Sequence, residues 1–230
     1  MQTIITLDDK KFGQGYYNAA HVETIDDAGI HQAKYVDVYE LLNALMNSRI
    51  EEERCYHIGK LPQYYFDGII HRSRNGDLSG QMLLIVPKTK TITQFHDTRY
   101  EIPFPTLLFV YQLKTGRIEN SQVYALKGKK WDYKTKLFLY PFGNVHDRSC
   151  KICWGSNALP EVKELSQLDV VTSLFYSSST NNDLYRPERT KWKVQNVREL
   201  YELLKGRTEF PEDKLVSCDK GCIQKLIKYQ

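Results

Sequence analysis

No stretch of the chain stays apolar long enough to cross a membrane as a helix, so a membrane-spanning protein is not expected. The first residues, Met1-Gln2-Thr3-Ile4-Ile5-Thr6-Leu7-Asp8-Asp9, lack the basic-then-apolar order of a secretory signal, and a cytoplasmic setting is expected. Charge of one sign is scarce too. Lys and Arg number 32 against 28 Asp and Glu, a net charge of +4, and the positive residues are scattered. The basic patch Lys127-Gly128-Lys129-Lys130 is short and reads as a solvated turn, so nucleic acid is not an expected partner. Five cysteines are an odd set, which speaks against a purely disulfide-built framework, and in the cytoplasm they should be reduced.

What remains is an ordinary globular mixture, 41% hydrophobic and 26% charged, over 230 residues. That length predicts one domain with an elaboration, able to bury a substantial core. Tyrosine is frequent at 16 residues, which suits half-buried sheet surfaces and interfaces alike.

Hydrophobic periodicity divides the chain. Ile4 to Leu7 and Ala20 to Ile25 read as paired strands, broken by Asp8 to Lys11, by Gly13-Gln14-Gly15 and by Asp26 to Gly29. A helix follows, capped by Asp37 with Glu40 three residues on. Its apolar stripe is Val38, Leu41, Leu42, Leu45 and Met46, expected to pack into a core, before the polar tail Glu51 to Arg54. From Leu61 the period becomes that of strands. Asn75-Gly76 marks a hairpin turn, and Met82 to Val86 is an unbroken apolar strand with both faces covered, ended by Pro87. Thr91 to Phe95 is another β-rich piece. Pro103 and Pro105 force an extended approach to the apolar strand around Leu107 to Tyr111. Lys114 to Arg117 turns the chain, Val123 to Leu126 returns, and Leu137 to Tyr140 closes an antiparallel meander.

Helical spacing then resumes. Pro160 suits a first helical position, ahead of Val162, Leu165, Leu168 and Val171. Ser177 to Asp183 is a polar surface connection. Asn196 caps a last helix with Glu199 three residues on, Val197, Leu200, Tyr201 and Leu204 on its buried side and Gly206 at its end. The tail carries Cys218, Cys222 and an amphipathic run from Ile223 to Ile227. The expected fold is α+β, an antiparallel meander flanked by helices. The expected boundaries are residues 1–60 for an N-terminal β/α extension and 61–230 for the core with its C-terminal helices.

One stretch concentrates reactive side chains next to turn formers: Leu137 to Ser156, with Asn144, His146, Asp147, Cys150 and Cys153. Cys153 follows the β step Lys151-Ile152 and precedes Trp154-Gly155-Ser156. A thiol there can be partly exposed, and its thiolate is a nucleophile. Asn144 offers an amide donor for a developing oxyanion. His146 and Asp147 are placed to influence a thiol or an incoming amine.

This segment resembles the ubiquitin-conjugating enzymes, where an apolar strand leads to His-Pro-Asn, a turn with glycine, then a β step and Cys-Leu. It is more similar still to the prokaryotic conjugating-like family called PRTRC system protein B, with its Pro-Phe-Trp-Asn-Val-Tyr and Asp-Gly-x-Val-Cys-Leu-Gly-Ser segments. Here the first is Pro141-Phe142-Gly143-Asn144-Val145-His146 and the second is Ser149-Cys150-Lys151-Ile152-Cys153-Trp154-Gly155-Ser156. Pro103 to Phe109 and Val86-Pro87 fit the family's proline-led strand and strand end, and the resemblance runs from about Tyr64 to Tyr185. The chain departs from the pattern in Cys150 for glycine, His146 for tyrosine, Gly143 for tryptophan and Trp154 for leucine. Asn144 to Cys153 is also one residue longer than in eukaryotic conjugating enzymes.

The resemblance implies a conjugating-enzyme-like fold without a cofactor, in which Cys153 is a thioester carrier. Cys153 would accept a ubiquitin-like protein from a ThiF-like adenylating activating enzyme and yield it to an amine, with Asn144 supporting the oxyanion. Such relatives sit in operons of plasmids and other mobile elements. Two alternatives stand beside it. Cys150 and Cys153, with Cys218 and Cys222, have spacings that suit a four-thiolate zinc site. Or the fold serves as a non-catalytic binding module for a ubiquitin-like protein or activating enzyme. Thiol redox chemistry of thioredoxin type is not expected, because the Cys-x-x-Cys lies in a β step rather than opening a helix after a strand.

Overall fold

Short apolar runs separated by turn residues become strands in two units, residues 1–55 and 56–230. The computed structural model describes residues 2–7, 19–47, 59–73 and 75–227. The expected breaks at Asp8 to Lys11 and Gly13 to Gly15, and the polar tail Glu51 to Arg54, lie outside the described residues, as does Arg74.

In the first unit β1 (Gln2–Thr6), β2 (Ala19–Ile25) and β3 (His31–Asp37) form an antiparallel sheet in that order. The turn between β2 and β3 is built by Asp26, whose Oδ1 accepts the N–H groups of Ala28 and Ile30. Helix α1 (Val38–Asn47) starts as expected, with Asp37 Oδ1 accepting the N–H groups of Tyr39 and Glu40. Its stripe does not enter a core among the described residues: Leu42 and Leu45 are about half exposed, and the side chain of Met46 lies outside them.

The second unit holds the main sheet. Its strands are β4 (Tyr65–Arg72), β5 (Leu78–Val86), β8 (Thr106–Lys114), β9 (Arg117–Leu126), β10 (Lys136–Phe138) and β12 (Ser217–Cys222), in the order β12-β10-β9-β8-β5-β4. All the pairings are antiparallel. Asn75-Gly76 lies in the β4–β5 connection, with Gly76 at φ +88°. Strands β6 (Thr89–Phe95) and β7 (Thr98–Phe104) continue β5 and β8 beyond Pro87 and Pro105 but form a separate ladder. A proline cannot donate to a ladder, so the long hairpin changes sheets at these two residues. The two-residue β11 (Ser179–Thr180) runs parallel to β6 and completes the small sheet.

Both faces of β5 and β8 are buried, as their unbroken apolar sequences require. One face, with Leu84, Leu107, Phe109 and Val123, packs under α2 (Leu168–Ser177) and α3 (Val197–Leu204). Phe109 meets Phe175 edge-on at 5.3 Å, and the Tyr111 hydroxyl lies 3.0 Å from Thr172 Oγ1. The other face, with Leu83, Ile85, Leu108 and Tyr124, is covered by Ile223 and Leu226 of a 3-10 turn. Helix α3 is capped by Asn196, whose side chain accepts the Glu199 N–H at 2.9 Å, and Gly206 follows its end at φ +79°.

One further expectation is corrected. Pro160 does not open a helix: the chain from Leu159 is irregular until a 3-10 turn at Leu165–Gln167, where Gln167 Oε1 ties back to the N–H of Glu164 at 2.9 Å. Ser217–Cys222, for which the sequence predicts no strand, is an edge strand against β10. The architecture is α+β with an antiparallel sheet and few helices, and no described helix is long and apolar enough to cross a membrane.

Candidate functional site

The segment after β10 is drawn inward by its aromatics. Phe142 is fully buried and packs edge-on against Phe104 at 4.9 Å, Tyr140 at 5.4 Å and Tyr201 at 5.5 Å. Gly143 follows because nothing larger fits. A Cβ there would stand 2.7 Å from the carbonyl oxygen of Asn181. Asn144 then turns the chain at φ +60°, a conformation asparagine tolerates.

A tight hairpin follows. Val145 bridges Ile152, His146 N–H donates to Lys151 O at 2.8 Å, and Cys150 N–H donates to His146 O at 3.0 Å. Closing this turn places Cys150 at φ +55°, where the resembling family carries glycine. The returning arm pairs with the edge of β9 that β10 leaves free. Val123 N–H donates to Cys150 O, Ile152 N–H donates to Ser121 O, and the Gln122 side chain donates to Ser149 O at 2.7 Å. The β step ahead of Cys153 is thus present as a short strand-like contact.

Cys153 lies at the base of the hairpin, its N–H donating to Asn144 O at 2.8 Å. Next to it, Trp154 is anchored by an indole hydrogen bond to Ser121 Oγ at 2.8 Å and by edge contact with Phe175. The Cys153 side chain is half-buried, and no hydrogen bond engages its sulfur among the described residues. Asn144 is brought to Cys153 through the backbone, but its side-chain amide donates to Ser179 O at 2.8 Å. His146 and Asp147 stand exposed at the hairpin tip. The Ser177 to Asp183 connection is more than a surface loop. Asn144 grips Ser179, Asn157 donates to Ser178 Oγ at 3.0 Å, and Thr180 Oγ donates to Gln94 O at 2.8 Å.

The sequence reading missed Arg189. Its side chain is 1% exposed, and its guanidinium donates to Tyr140 O at 3.1 Å and Val145 O at 2.6 Å. These two carbonyls flank Pro141 to Asn144, so one cation clamps both ends of the turn that holds Asn144. Burial lowers the Arg189 pKa, opposed by Asp147, whose carboxylate lies 3.7 Å from Nη2. No sequence signal points to it, because Arg186-Pro187-Glu188-Arg189 reads as a polar surface turn.

The cysteines divide. Cys150 and Cys218 are buried with their sulfurs 3.9 Å apart, while Cys153 and Cys222 are half-buried. Among the described residues no three His, Cys, Asp or Glu side chains are gathered to hold a metal. The four-thiolate arrangement of Cys150, Cys153, Cys218 and Cys222 is therefore not assembled.

A model of prokaryotic E2 family D matches residues 77–218, more than half of the chain. The chain belongs to prokaryotic E2 family D. The E2 name is that of conjugating enzymes, so membership supports a conjugating-enzyme-like fold for the second unit. The family D span includes Asn144, His146, Asp147, Cys150, Cys153 and Arg189 and reaches Cys218. It leaves out the first unit. No curated protein and no solved structure matches the chain.

Proposed function

We propose that this family D protein is a thioester carrier of PRTRC system protein B type, working beside a ubiquitin-like protein and a ThiF-like activating enzyme. Cys153 is the acyl-bearing thiol. Its thiolate attacks the activated carboxy-terminal carbonyl of the ubiquitin-like protein, the bond to the activating enzyme breaks, and a thioester to Cys153 forms. An amine then attacks that carbonyl, and the Cys153 thiolate leaves. The first unit is an extension to this conjugating core.

The observation that carries the reading is the contrast within Cys150-Lys151-Ile152-Cys153. Cys150 is buried against another sulfur, whereas Cys153 is half-buried, uncommitted at its sulfur and held by backbone hydrogen bonds on a braced hairpin. A nucleophile needs access and a fixed position, and only Cys153 of the two has both. Asn144 supports the transfer in two ways. Its backbone carbonyl fixes the Cys153 amide. Its Nδ2 carries two hydrogens, one held by Ser179 O, leaving the second for a developing oxyanion. His146 and Asp147 border the approach of the amine.

The engaged amide of Asn144 favours one second reading, a non-catalytic module that binds the ubiquitin-like protein or its activating enzyme. One experiment separates them. The chain is mixed with the activating enzyme, ATP and the ubiquitin-like protein of its own gene neighbourhood. Carrier activity gives an adduct that reductant cleaves and that Cys153→Ala abolishes. An adduct undiminished in Cys153→Ala overturns the assignment, and binding without an adduct supports the module.

A further inference from the structure

The buried pair Cys150 and Cys218 has no part in the proposed transfer. Cys150 sits on the hairpin and Cys218 on β12, 68 positions apart, and their sulfurs meet at 3.9 Å. Both side chains lie in the apolar layer under Tyr124, Leu108 and Leu137, at 1% and 6% exposure. Cys153 is on neither side of this contact, and its neighbours Ile152 and Trp154 pack into the layer on the other face of the sheet. The two thiols touch without being bonded, since a disulfide needs about 2.05 Å between sulfurs. Both occupy irregular backbone. Cys150 is at φ +55°, and Cys218 falls where the register of β10 and β12 shifts between Phe138–Ser217 and Lys136–Cys222. Irregular backbone can shift with less disruption than a regular ladder, and modest movement closes the remaining gap.

We propose that Cys150 and Cys218 form a reversible dithiol–disulfide site whose oxidant is a small peroxide, and that closing it ties the hairpin carrying Cys153 to β12. Cys218 is the attacking sulfur. The hydrogen bond shared with Cys150 lowers the Cys218 pKa, against the raising effects of burial and of the Asp219 carboxylate 3.6 Å from its sulfur, while that hydrogen bond and burial raise the pKa of Cys150. The Cys218 thiolate attacks one peroxide oxygen, the O–O bond breaks, and a sulfenic acid and hydroxide result. The Cys150 sulfur then displaces hydroxide from the sulfenic acid, with its thiol proton leaving in water. The net change is two thiols and one hydrogen peroxide to one disulfide and two waters. Thiol exchange with a small dithiol reverses it. The inference stands whether or not Cys153 carries an acyl group, because Cys153 takes part in neither step.

The test uses the full chain, reduced and then freed of reductant. It is treated with hydrogen peroxide at a few equivalents, remaining thiols are alkylated, and the protein is mapped by mass without reduction. The expected result is the loss of two hydrogens per chain, one cross-link joining the Cys150 and Cys218 peptides, and an alkylated Cys153. Dithiothreitol restores both thiols. Cys222→Ser leaves the cross-link yield unchanged, and Cys218→Ser abolishes it. The proposal is overturned if Cys150 and Cys218 emerge as alkylated thiols or as sulfinic acids. It is equally overturned if the cross-link runs through Cys153 or Cys222. The wild-type map decides the matter even if Cys218→Ser does not fold.

Discussion

Nη2 of Arg189 lies 2.6 Å from the carbonyl oxygen of Val145, a fully charged donor buried on a neutral peptide group. With Nη1 on Tyr140, the planar fork spans the turn in a way no single-point donor can. Arg189→Ala should leave both buried carbonyls without these donors and cost about 3 kcal/mol of stability. Arg189→Lys should recover only part of this, because an ammonium reaches one carbonyl well. Urea unfolding midpoints check both, and equal midpoints for Arg189 and Arg189→Ala would remove the clamp from the account.

Gly143 offers a steric test. Its missing side chain lets the Asn181 carbonyl approach, and an added methyl would fall 2.7 Å from that backbone oxygen. Gly143→Ala should cost about 1–3 kcal/mol and pull Ser179 away from Asn144. Protection of the Ser177–Asn182 amides from hydrogen exchange should fall with it. Unchanged protection and stability would show that the two segments are not in contact.

Cys150 combines a strained backbone with a buried sulfur, and two substitutions separate them. Cys150→Ala keeps a Cβ at φ +55° and loses the sulfur contact. Cys150→Gly loses the contact but relieves the backbone. The glycine variant should be the more stable of the two by about 1 kcal/mol, read from paired urea curves. The opposite order would mean the turn is not left-handed at this residue.

Buried tyrosines should set the alkaline limit of the fold. Burial pushes Tyr185 and Tyr201 up to about 12. A raised folded pKa means the folded state keeps its phenolic protons longer than the unfolded chain. The associated stability is intact below about pH 10, the unfolded value, and is lost as pH rises toward 12, on the order of 2–3 kcal/mol for each. Phenolate absorbance and circular dichroism should therefore change together for these residues above pH 10. Full tyrosine ionisation with the secondary structure retained would contradict this.

Much of the second unit was legible because its signals are local and strong. Met82 to Val86 is too apolar to be anything but a strand covered on both faces, Asn196 with Glu199 writes its own cap, and Gly206 its own stop. The elements that escaped are those fixed by distant partners. His31–Asp37 is largely polar and becomes a strand by pairing with β2. Ser217–Cys222 has little β propensity and is recruited by β10. Pro160 looked like a helix start, yet Gln167 sets the start five residues later, at Leu165, by bonding back to Glu164. At the site, the β step to Cys153 could be read from residue order, whereas the hairpin that leads into it, closed by backbone bonds between His146 and Lys151, could not. Arg189 could not, because its two acceptors are backbone carbonyls, 44 and 49 positions away, that every residue possesses.

The way β9 is shared has a further consequence. Its outer rim is satisfied in two instalments, near Ala125 by β10 and at Ser121 to Val123 by the arm that ends in Cys153. Were that arm to swing out, several backbone amides and carbonyls would be bared at once, presenting a sticky template for a foreign chain. Holding the cysteine arm in place is then also a safeguard against unwanted self-association, and damage to the hairpin should show first as loss of solubility.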